Sequence, residues 1–174
     1  DLLGDEPAAI VTAVDQAVDK GATPEQLGRA VAYAAALRIS RFHVQNDHGD
    51  WDVIHHAFTA ANALHQALLR APTPELVRGV YHGALRVYLD RFLNVPPARL
   101  AAVRSADVVP NLAALDECWD REGMVDEAGA IVYRFLRGGG DARAAIAALG
   151  HALLREDAAF HWLQTYEAAV RQFH

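Results

Sequence analysis

Cysteine is almost missing from this sequence: Cys118 is the only one in 174 residues. One cysteine forms neither an internal disulfide nor a CxxC pair, so a disulfide scaffold and a cysteine-rich zinc or iron–sulfur site are excluded. The acidic residues around Cys118 disfavour its thiolate, which makes it a poor nucleophile. This cysteine content is typical of a reducing cytoplasm, and cytoplasmic is therefore the location that we expect.

Clustered positive charge and long apolar runs are also missing. The formal net charge is -6, and the arginines are scattered among acidic residues, so no basic surface for DNA or RNA is expected. No apolar run approaches the roughly 18 residues of a membrane-spanning helix, and no signal peptide opens the chain. We therefore expect a protein that has no membrane segment and does not bind nucleic acid.

The sequence lacks the short motifs of several large enzyme classes. It contains no GxSxG nucleophile elbow, no P-loop and no GxGxxG, so a serine hydrolase, a P-loop NTPase and a Rossmann dehydrogenase are unsupported. The HExxH signature of zinc proteases is absent as well. Any chemistry of this chain must therefore be argued from individual side chains.

Helix signals dominate what is present. Alanine, the best helix former, is abundant, and no alternation typical of strands occurs. Thr-Pro-Glu at 23–25 and at 73–75 gives two helices an N-cap, a proline at the first position and an early acid. The sequence predicts an all-α, single-domain bundle of six or seven helices, and a fragment of a longer chain is the alternative for residues 1–174. The predicted helices are 6–19, 24–43, 51–70, 74–93, 110–119, 126–136 and a long C-terminal helix over 142–173.

Two of the predicted helices resemble each other. TPEQLGRAVAYAAALRISRF aligns with TPELVRGVYHGALRVYLDRF at a constant offset of 50 residues, which indicates either an internal duplication or two uses of a common cap. The first copy carries a nearly continuous face of small residues. Such a face allows another helix to approach closely, so the helix predicted over 24–43 is expected to be central.

Histidine is concentrated in residues 41–70, which hold five of the nine. Imidazole is the commonest transition-metal ligand and titrates near neutral pH, so this density suggests chemistry. Asp52 and His56 lie four residues apart on the third predicted helix, where they can bind one metal ion, or the carboxylate can orient the imidazole. Thr59 leaves room beside His56 and completes the candidate catalytic set. The alternative is a solvated face with an ordinary Asp–His pair.

The predicted last helix repeats this spacing with Asp157 and His161, and His151 lies on a neighbouring stripe. Two such pairs on two long helices suit a metal ion held inside a bundle. The end of the second helix and the loop after it add two more histidines. No ExxH occurs, which argues against a ferritin-like di-iron centre. The expected metal ligands are His43, His48, His56, His151, Asp157 and His161.

Two further residues have one structural and one functional interpretation. His65 lies among apolar neighbours, so it is either a core histidine satisfied by one hydrogen bond or a cofactor ligand, such as an axial ligand of haem. Arg86 shares a stripe of the fourth helix with His82 and Asp90. That stripe is either a solvated, ion-paired face or a site where Arg86 and His82 bind an anionic substrate or cofactor.

The segment DWDVIHHAFTAANALHQAL, followed by PTPELVRGVYHGALRVYLDRFLNVPPARL, resembles the questin oxidase-like family. His56 and Thr59 stand at the positions that match the His-x-x-Thr of that family. The chain is also similar to a helical region of bacterial proteins that carry a Rieske-type ferredoxin domain. These resemblances imply an oxidative activity on an aromatic or polyketide-like small molecule. They also imply a reduced nicotinamide as electron donor and a Rieske-type ferredoxin domain as partner.

Together these observations favour a metal-dependent oxidase or oxygenase that acts on a small molecule, with non-haem iron as the expected cofactor. The metal would bind and activate oxygen, because no side chain of this protein performs one-electron chemistry. One alternative is a non-catalytic helical ligand-binding module with core histidines. The other alternative is a haem-binding protein.

Overall fold

The chain is entirely α-helical over the part that the structure, a computed structural model, describes: residues 1–93, 97–99, 110–156 and 159–173. The all-α prediction is confirmed, with eight α-helices and one short 3₁₀ helix in the described residues rather than six or seven helices. None of them is both long and apolar enough to cross a membrane. The helices are Pro7–Asp19 (α1), Pro24–Ser40 (α2), His48–Arg70 (α3), Pro74–Leu89 (α4), Asp90–Phe92 (the 3₁₀ helix), Ala114–Trp119 (α5), Val125–Arg137 (α6), Ala142–Arg155 (α7) and Phe160–Phe173 (α8).

The helices divide into two compact units. The first unit consists of Asp1–Ala98 and Gln164–His174, and the second consists of Arg99–Leu163. Most of α8 therefore belongs to the first unit, although it is far from the rest of that unit in sequence. The expected single-domain organisation stays a prediction.

Helix α2 lies at the centre of the first unit. It packs against both α3 and α4, while α1 packs against α4. Ala32, Ala34 and Ala35 of its small-residue face are buried, as close helix approach requires. The expectation that this helix is central is confirmed. The larger buried side chains around it are Ile10, Val14, Leu27, Val31, Phe58, Leu68, Val80 and Val87.

Helices α2 and α4 begin in the same way. The hydroxyl oxygens of Thr23 and Thr73 accept the backbone N–H groups of Gln26 and Leu76, each at 3.3 Å, and a proline follows each threonine. Gln26 also accepts the N–H of Thr23 through its side chain at 2.9 Å, which completes a capping box. Both predicted helix starts are confirmed, and they lie 50 residues apart as the sequence alignment has them. A common origin of the two helices stays a prediction.

Helix α3 begins three residues earlier than the sequence predicted. Asp47 has an extended backbone, and its Oδ1 accepts the N–H of Asp50 at 2.9 Å, so Asp47 rather than Asp50 is the N-cap. Asp50 lies in the first turn instead, where its negative charge faces the positive end of the helix dipole. His48 is consequently the first residue of α3 and not a loop residue. His43 lies beyond the end of α2 at Ser40.

The long C-terminal helix predicted over 142–173 is wrong. Helix α7 ends at Arg155, and Glu156 leaves helical geometry with a ψ of 158°. Asp141 caps α7 as predicted, since its side chain accepts the N–H of Arg143. No glycine or proline marks the break. A tertiary contact lies at the break: the guanidinium of Arg155 donates to Asp120 at 2.7 Å. Helical periodicity carries no information about such contacts.

The second unit has a small core of its own. Helix α6 packs against α5 and α7. Their contact buries the side chains of Leu115, Cys118, Ala128 and Ile131. The thiol of Cys118 is thus part of an apolar cluster, which agrees with its poor prospects as a nucleophile.

Two glycines set how closely α2 approaches its neighbours. A Cβ added to Gly28 would lie 2.8 Å from Cδ1 of Leu68 and 3.1 Å from Cα of His65. A Cβ added to Gly83 would lie 2.8 Å from Cγ1 of Val31. Leu68 is completely buried and the Cα of His65 belongs to the backbone, so neither yields easily. Gly28 is therefore required for the contact between α2 and α3.

We predict that Gly28→Ala destabilises the protein by about 1–3 kcal/mol, because overpacking outweighs the helix-propensity gain of roughly 1 kcal/mol. Gly129→Ala in α6 is the matched control, since nothing lies within 4 Å of its added Cβ. That control should stabilise by about 0.5–1 kcal/mol. Urea unfolding followed by far-UV circular dichroism measures both. Equal stabilisation by the two alanines would show that α2 and α3 are not in tight contact at Gly28.

Candidate functional site

The buried face of α3 contains three polar residues. His55, Asn62 and His65 are only 7%, 6% and 8% exposed, respectively. Spacings of seven and three residues place side chains on one side of an α-helix, so the three residues share a face. Burial of polar side chains is costly unless hydrogen bonds replace their contacts with water. Their partners therefore decide what this face can do.

The partners lie on α8, more than 100 residues further along the chain. Nδ1 of His55 lies 3.0 Å from Oγ1 of Thr165, and Nδ1 of His65 lies 3.2 Å from Oε1 of Gln172. Asn62 lies between the two histidines, where it contacts two α8 side chains. We call this set the polar seam; its members are His55, Asn62, His65, Thr165, Glu167 and Gln172.

Four of these residues form a chain of hydrogen bonds, whose first link depends on the tautomer of His65, because its Nδ1 lies 3.2 Å from Oε1 and 3.1 Å from Nε2 of Gln172. When Nδ1 of His65 carries the proton, it donates to Oε1 of Gln172. Nε2 of Gln172 donates to Oδ1 of Asn62 at 2.8 Å, and Nδ2 of Asn62 donates to Oε2 of Glu167 at 3.1 Å. Arg171 then donates to the other Glu167 oxygen at 2.8 Å. Satisfied networks of this kind fix one relative position of two helices.

The polar seam attaches α8 to α3 within the first unit. Ala168 is the only fully buried residue of this helix among those described, and its small side chain buries little apolar area. Hydrogen bonds from α3 therefore contribute to the position of α8. The interpretation of His65 as a core histidine with one hydrogen bond agrees with this arrangement.

The predicted catalytic residues of α3 do not belong to the buried face. His56 is exposed, and Asp52 is half-buried on the same side of the helix. The hydroxyl of Thr59 donates to the backbone oxygens of His55 and His56 at 3.0 and 3.2 Å. That hydroxyl is consequently engaged with its own helix, and only its lone pairs face outward. A catalytic role for Asp52, His56 and Thr59 stays a prediction.

The other expected metal ligands are distributed over several elements. His43 follows α2, and its Nδ1 accepts the N–H of Gln45 at 3.1 Å. His48 is exposed at the start of α3, and His151 is exposed on α7. His161 lies on α8, where its ring contacts that of Phe160.

Asp157 lies outside the described residues. Its pairing with His161 stays a prediction; the described helices on either side are α7, which ends at Arg155, and α8, which begins at Phe160. In the described part of the chain, no group of three or more His, Cys, Asp and Glu side chains is placed to hold a metal ion. The iron cofactor stays a prediction.

Sequence reasoning missed the burial of Asp90. The stripe that contains Arg86 was expected to be either solvated and ion-paired or anion-binding. Arg86 is indeed paired, since its Nε lies 3.1 Å from Oδ1 of Asp90, and His82 is exposed. The side chain of Asp90, however, is only 2% exposed. A solvated stripe is thus wrong for its last member, which is buried at the end of α4.

Burial changes the proton affinity of Asp90. The loss of water around its carboxyl group raises its pKa to about 6, although the nearby guanidinium groups of Arg86 and Arg38 act in the opposite direction. Asp90 is therefore a carboxyl group that titrates close to neutral pH. Perturbed groups of this kind are more frequent at functional sites than elsewhere.

We predict that Asp90 makes the protein less stable as the pH rises from about 4 to 7. Its folded pKa is above its unfolded value, so the folded state holds a proton that the unfolded state has lost in this window. The contribution is on the order of 2–3 kcal/mol. Asp90→Asn should remove this decline, whereas the exposed control Asp19→Asn should keep it. Urea unfolding at several pH values measures the difference, and parallel wild-type and Asp90→Asn curves would contradict the prediction.

We also predict that Asn62→Ala destabilises the protein by about 1–3 kcal/mol, because it removes two hydrogen bonds and leaves partners of the polar seam unsatisfied. Gln66→Ala on the same helix is the control and should change the stability by less than about 0.5 kcal/mol. Chemical denaturation at constant pH measures both. If both variants unfold at the wild-type midpoint, the polar seam does not hold α8 in place.

Comparison with known proteins gives no match: no protein-family model, curated protein or solved structure is significantly similar to this chain. The resemblance to the questin oxidase-like family therefore stays a prediction. The features that bear on function are the polar seam between α3 and α8 and the buried carboxyl group at the end of α4.

Proposed function

We propose that this chain is a helical ligand-binding module in which the histidines of α3 serve as hydrogen-bonding residues of the core. The polar seam supports the structural role that this proposal gives to the histidines. His55 and His65 are buried, and each has a ring nitrogen within hydrogen-bond distance of an α8 side chain. Positioning a helix is a structural task, and it accounts for the burial of these two histidines without any chemical role.

A binding role is favoured over a purely structural one by polar groups that the protein leaves unsatisfied. Nε and Nη2 of Arg38 are buried in the first unit and have no hydrogen-bond partner. Buried polar atoms are normally paired, so each exception calls for an explanation such as a bound molecule. A small molecule that supplies the missing partner would account for this one.

The competing proposal is the metal-dependent oxidase or oxygenase, with iron, a small aromatic substrate and a nicotinamide or Rieske-type electron donor. Transition-metal sites take three or four protein donors around one ion. The described residues offer no such group, so the geometry favours the binding module. A haem-binding protein that uses His65 or His151 is the third alternative.

Two histidine variants separate these proposals. The binding module predicts that His65→Ala destabilises the protein by about 1–3 kcal/mol, because the variant loses a buried hydrogen bond and leaves a cavity. The exposed His56→Ala should change stability by less than about 0.5 kcal/mol. Urea unfolding, elemental analysis of protein purified without chelator, and an absorption spectrum are measured for the wild type and both variants.

The outcomes point in different directions. Background metal content in all three proteins, together with a loss of stability in His65→Ala alone, supports the binding module. Stoichiometric metal in the wild type that disappears in His56→Ala would establish the oxidase-type site instead. A Soret band that is lost in His65→Ala would establish haem binding.

A further inference from the structure

Arg38, in the last turn of α2, has an unsatisfied guanidinium edge. Its Nε and Nη2 atoms are buried and have no hydrogen-bond partner. These two nitrogens form one side of the planar guanidinium, which binds carboxylates through two parallel N–H···O bonds. A buried guanidinium edge without an acceptor is costly, so the protein maintains an unfavourable arrangement at this position.

Asp90 provides a second unsatisfied group close to Arg38. Its Oδ1 atom is engaged by Arg86, whereas Oδ2 is buried without a partner. Burial lowers the pKa of Arg38, and the negative charge of Asp90 raises it, so the two side chains interact electrostatically. The two side chains nevertheless form no ion pair among the described residues. One donor edge and one acceptor atom thus remain unpaired in the same region.

The described acidic groups that act on Arg38 are paired with other arginines. Arg86 pairs with Asp90, and Nη1 of Arg91 pairs with Oδ1 of Asp5 at 2.7 Å. Burial is the main cause that lowers the pKa of Arg38, and the positive charges of Arg91 and Arg41 lower it further, whereas Asp90 and Asp5 raise it. A monovalent anion at the unsatisfied edge would supply the acceptor that Arg38 lacks and would compensate its charge.

We propose that Arg38 forms a binding site beside Asp90 for a small monocarboxylate, which the Nε–H and Nη2–H groups of Arg38 hold through both of its oxygens. This inference rests on the proposed binding function and deepens it by naming the ligand class. The site is distinct from the polar seam, which contains neither Arg38 nor Asp90.

The neighbourhood favours a singly charged, planar anion. A carboxylate matches the flat guanidinium edge with two hydrogen bonds and compensates one charge. Sulfate and doubly ionised phosphate bring a second negative charge next to Asp90, and two like charges in a poorly solvated site repel each other. Chloride has the right charge but offers no pair of oxygens for the two N–H groups.

Acetate is the probe that tests this inference. It is titrated at pH 7 against chloride at constant ionic strength, and the melting temperature of the protein is measured. Binding to the native state should raise the melting temperature in a saturable way. Arg38→Lys keeps the charge but removes the guanidinium edge, and it should weaken acetate binding by at least about tenfold. Arg29→Lys, an exposed arginine of the same helix, is the matched control and should bind as the wild type does.

Asp90→Asn provides a second variant that retains Arg38. It removes the negative charge beside the bound carboxylate, so acetate should bind about three- to tenfold more tightly at pH 7. If Arg38→Lys does not fold, this variant decides the question. Unchanged or weaker acetate binding in Asp90→Asn would overturn the site.

Three further results would overturn the inference. The first is that acetate and chloride raise the melting temperature of the wild type equally, and the second is that the wild type and Arg38→Lys bind acetate with equal affinity. The third is that sulfate raises the melting temperature as much as acetate does. Failure here is distinguishable from failure of the proposed function. If the protein contains no metal and does not bind acetate, the carboxylate site is rejected but the proposed binding function is not. If the protein contains stoichiometric metal, the proposed binding function is contradicted, whether or not acetate binds.

Discussion

The close contact between α2 and α3 at Gly28 is the constraint on which the first unit depends. A residue without a side chain allows the backbone of His65 to lie against α2, and this contact fixes how α3 is rotated about its own axis. The rotation buries Leu68 completely and directs Asn62 and His65 toward α8. The position of the polar seam therefore depends on how α3 packs against α2.

The first unit contains two sets of buried polar groups, one hydrogen-bonded and one with unsatisfied atoms. In the polar seam, hydrogen bonds join α3 to Thr165, Glu167 and Gln172, and they help to fix the position of α8 at little net cost. At the ends of α2 and α4, by contrast, Arg38 and Asp90 have buried side-chain atoms that lack a hydrogen-bond partner. Conformational specificity explains the polar seam, but it does not explain an unpaired guanidinium edge. This difference is the reason for assigning a structural role to one cluster and a binding role to the other.

Local signals in the sequence predicted the helical class and the starts of α2 and α4, because a Thr-Pro-Glu cap acts within one turn. The break after Arg155 was missed, since it accompanies a contact with Asp120 that periodicity does not contain. Similarly, periodicity placed His65 on an apolar face, but it could not identify α8 as the partner. The burial of Asp90 was also missed, because it depends on which elements surround the end of α4 and not on the residue spacing within that helix.

The division of the first unit between Asp1–Ala98 and Gln164–His174 has a consequence for the order of events during synthesis. Helices α1 to α4 leave the ribosome together and can assemble around Gly28 from contacts that are near in sequence. His55, Asn62 and His65 then remain in contact with water until the C-terminal segment has been translated. These three side chains thus lose their contact with water only when α8 packs against α3.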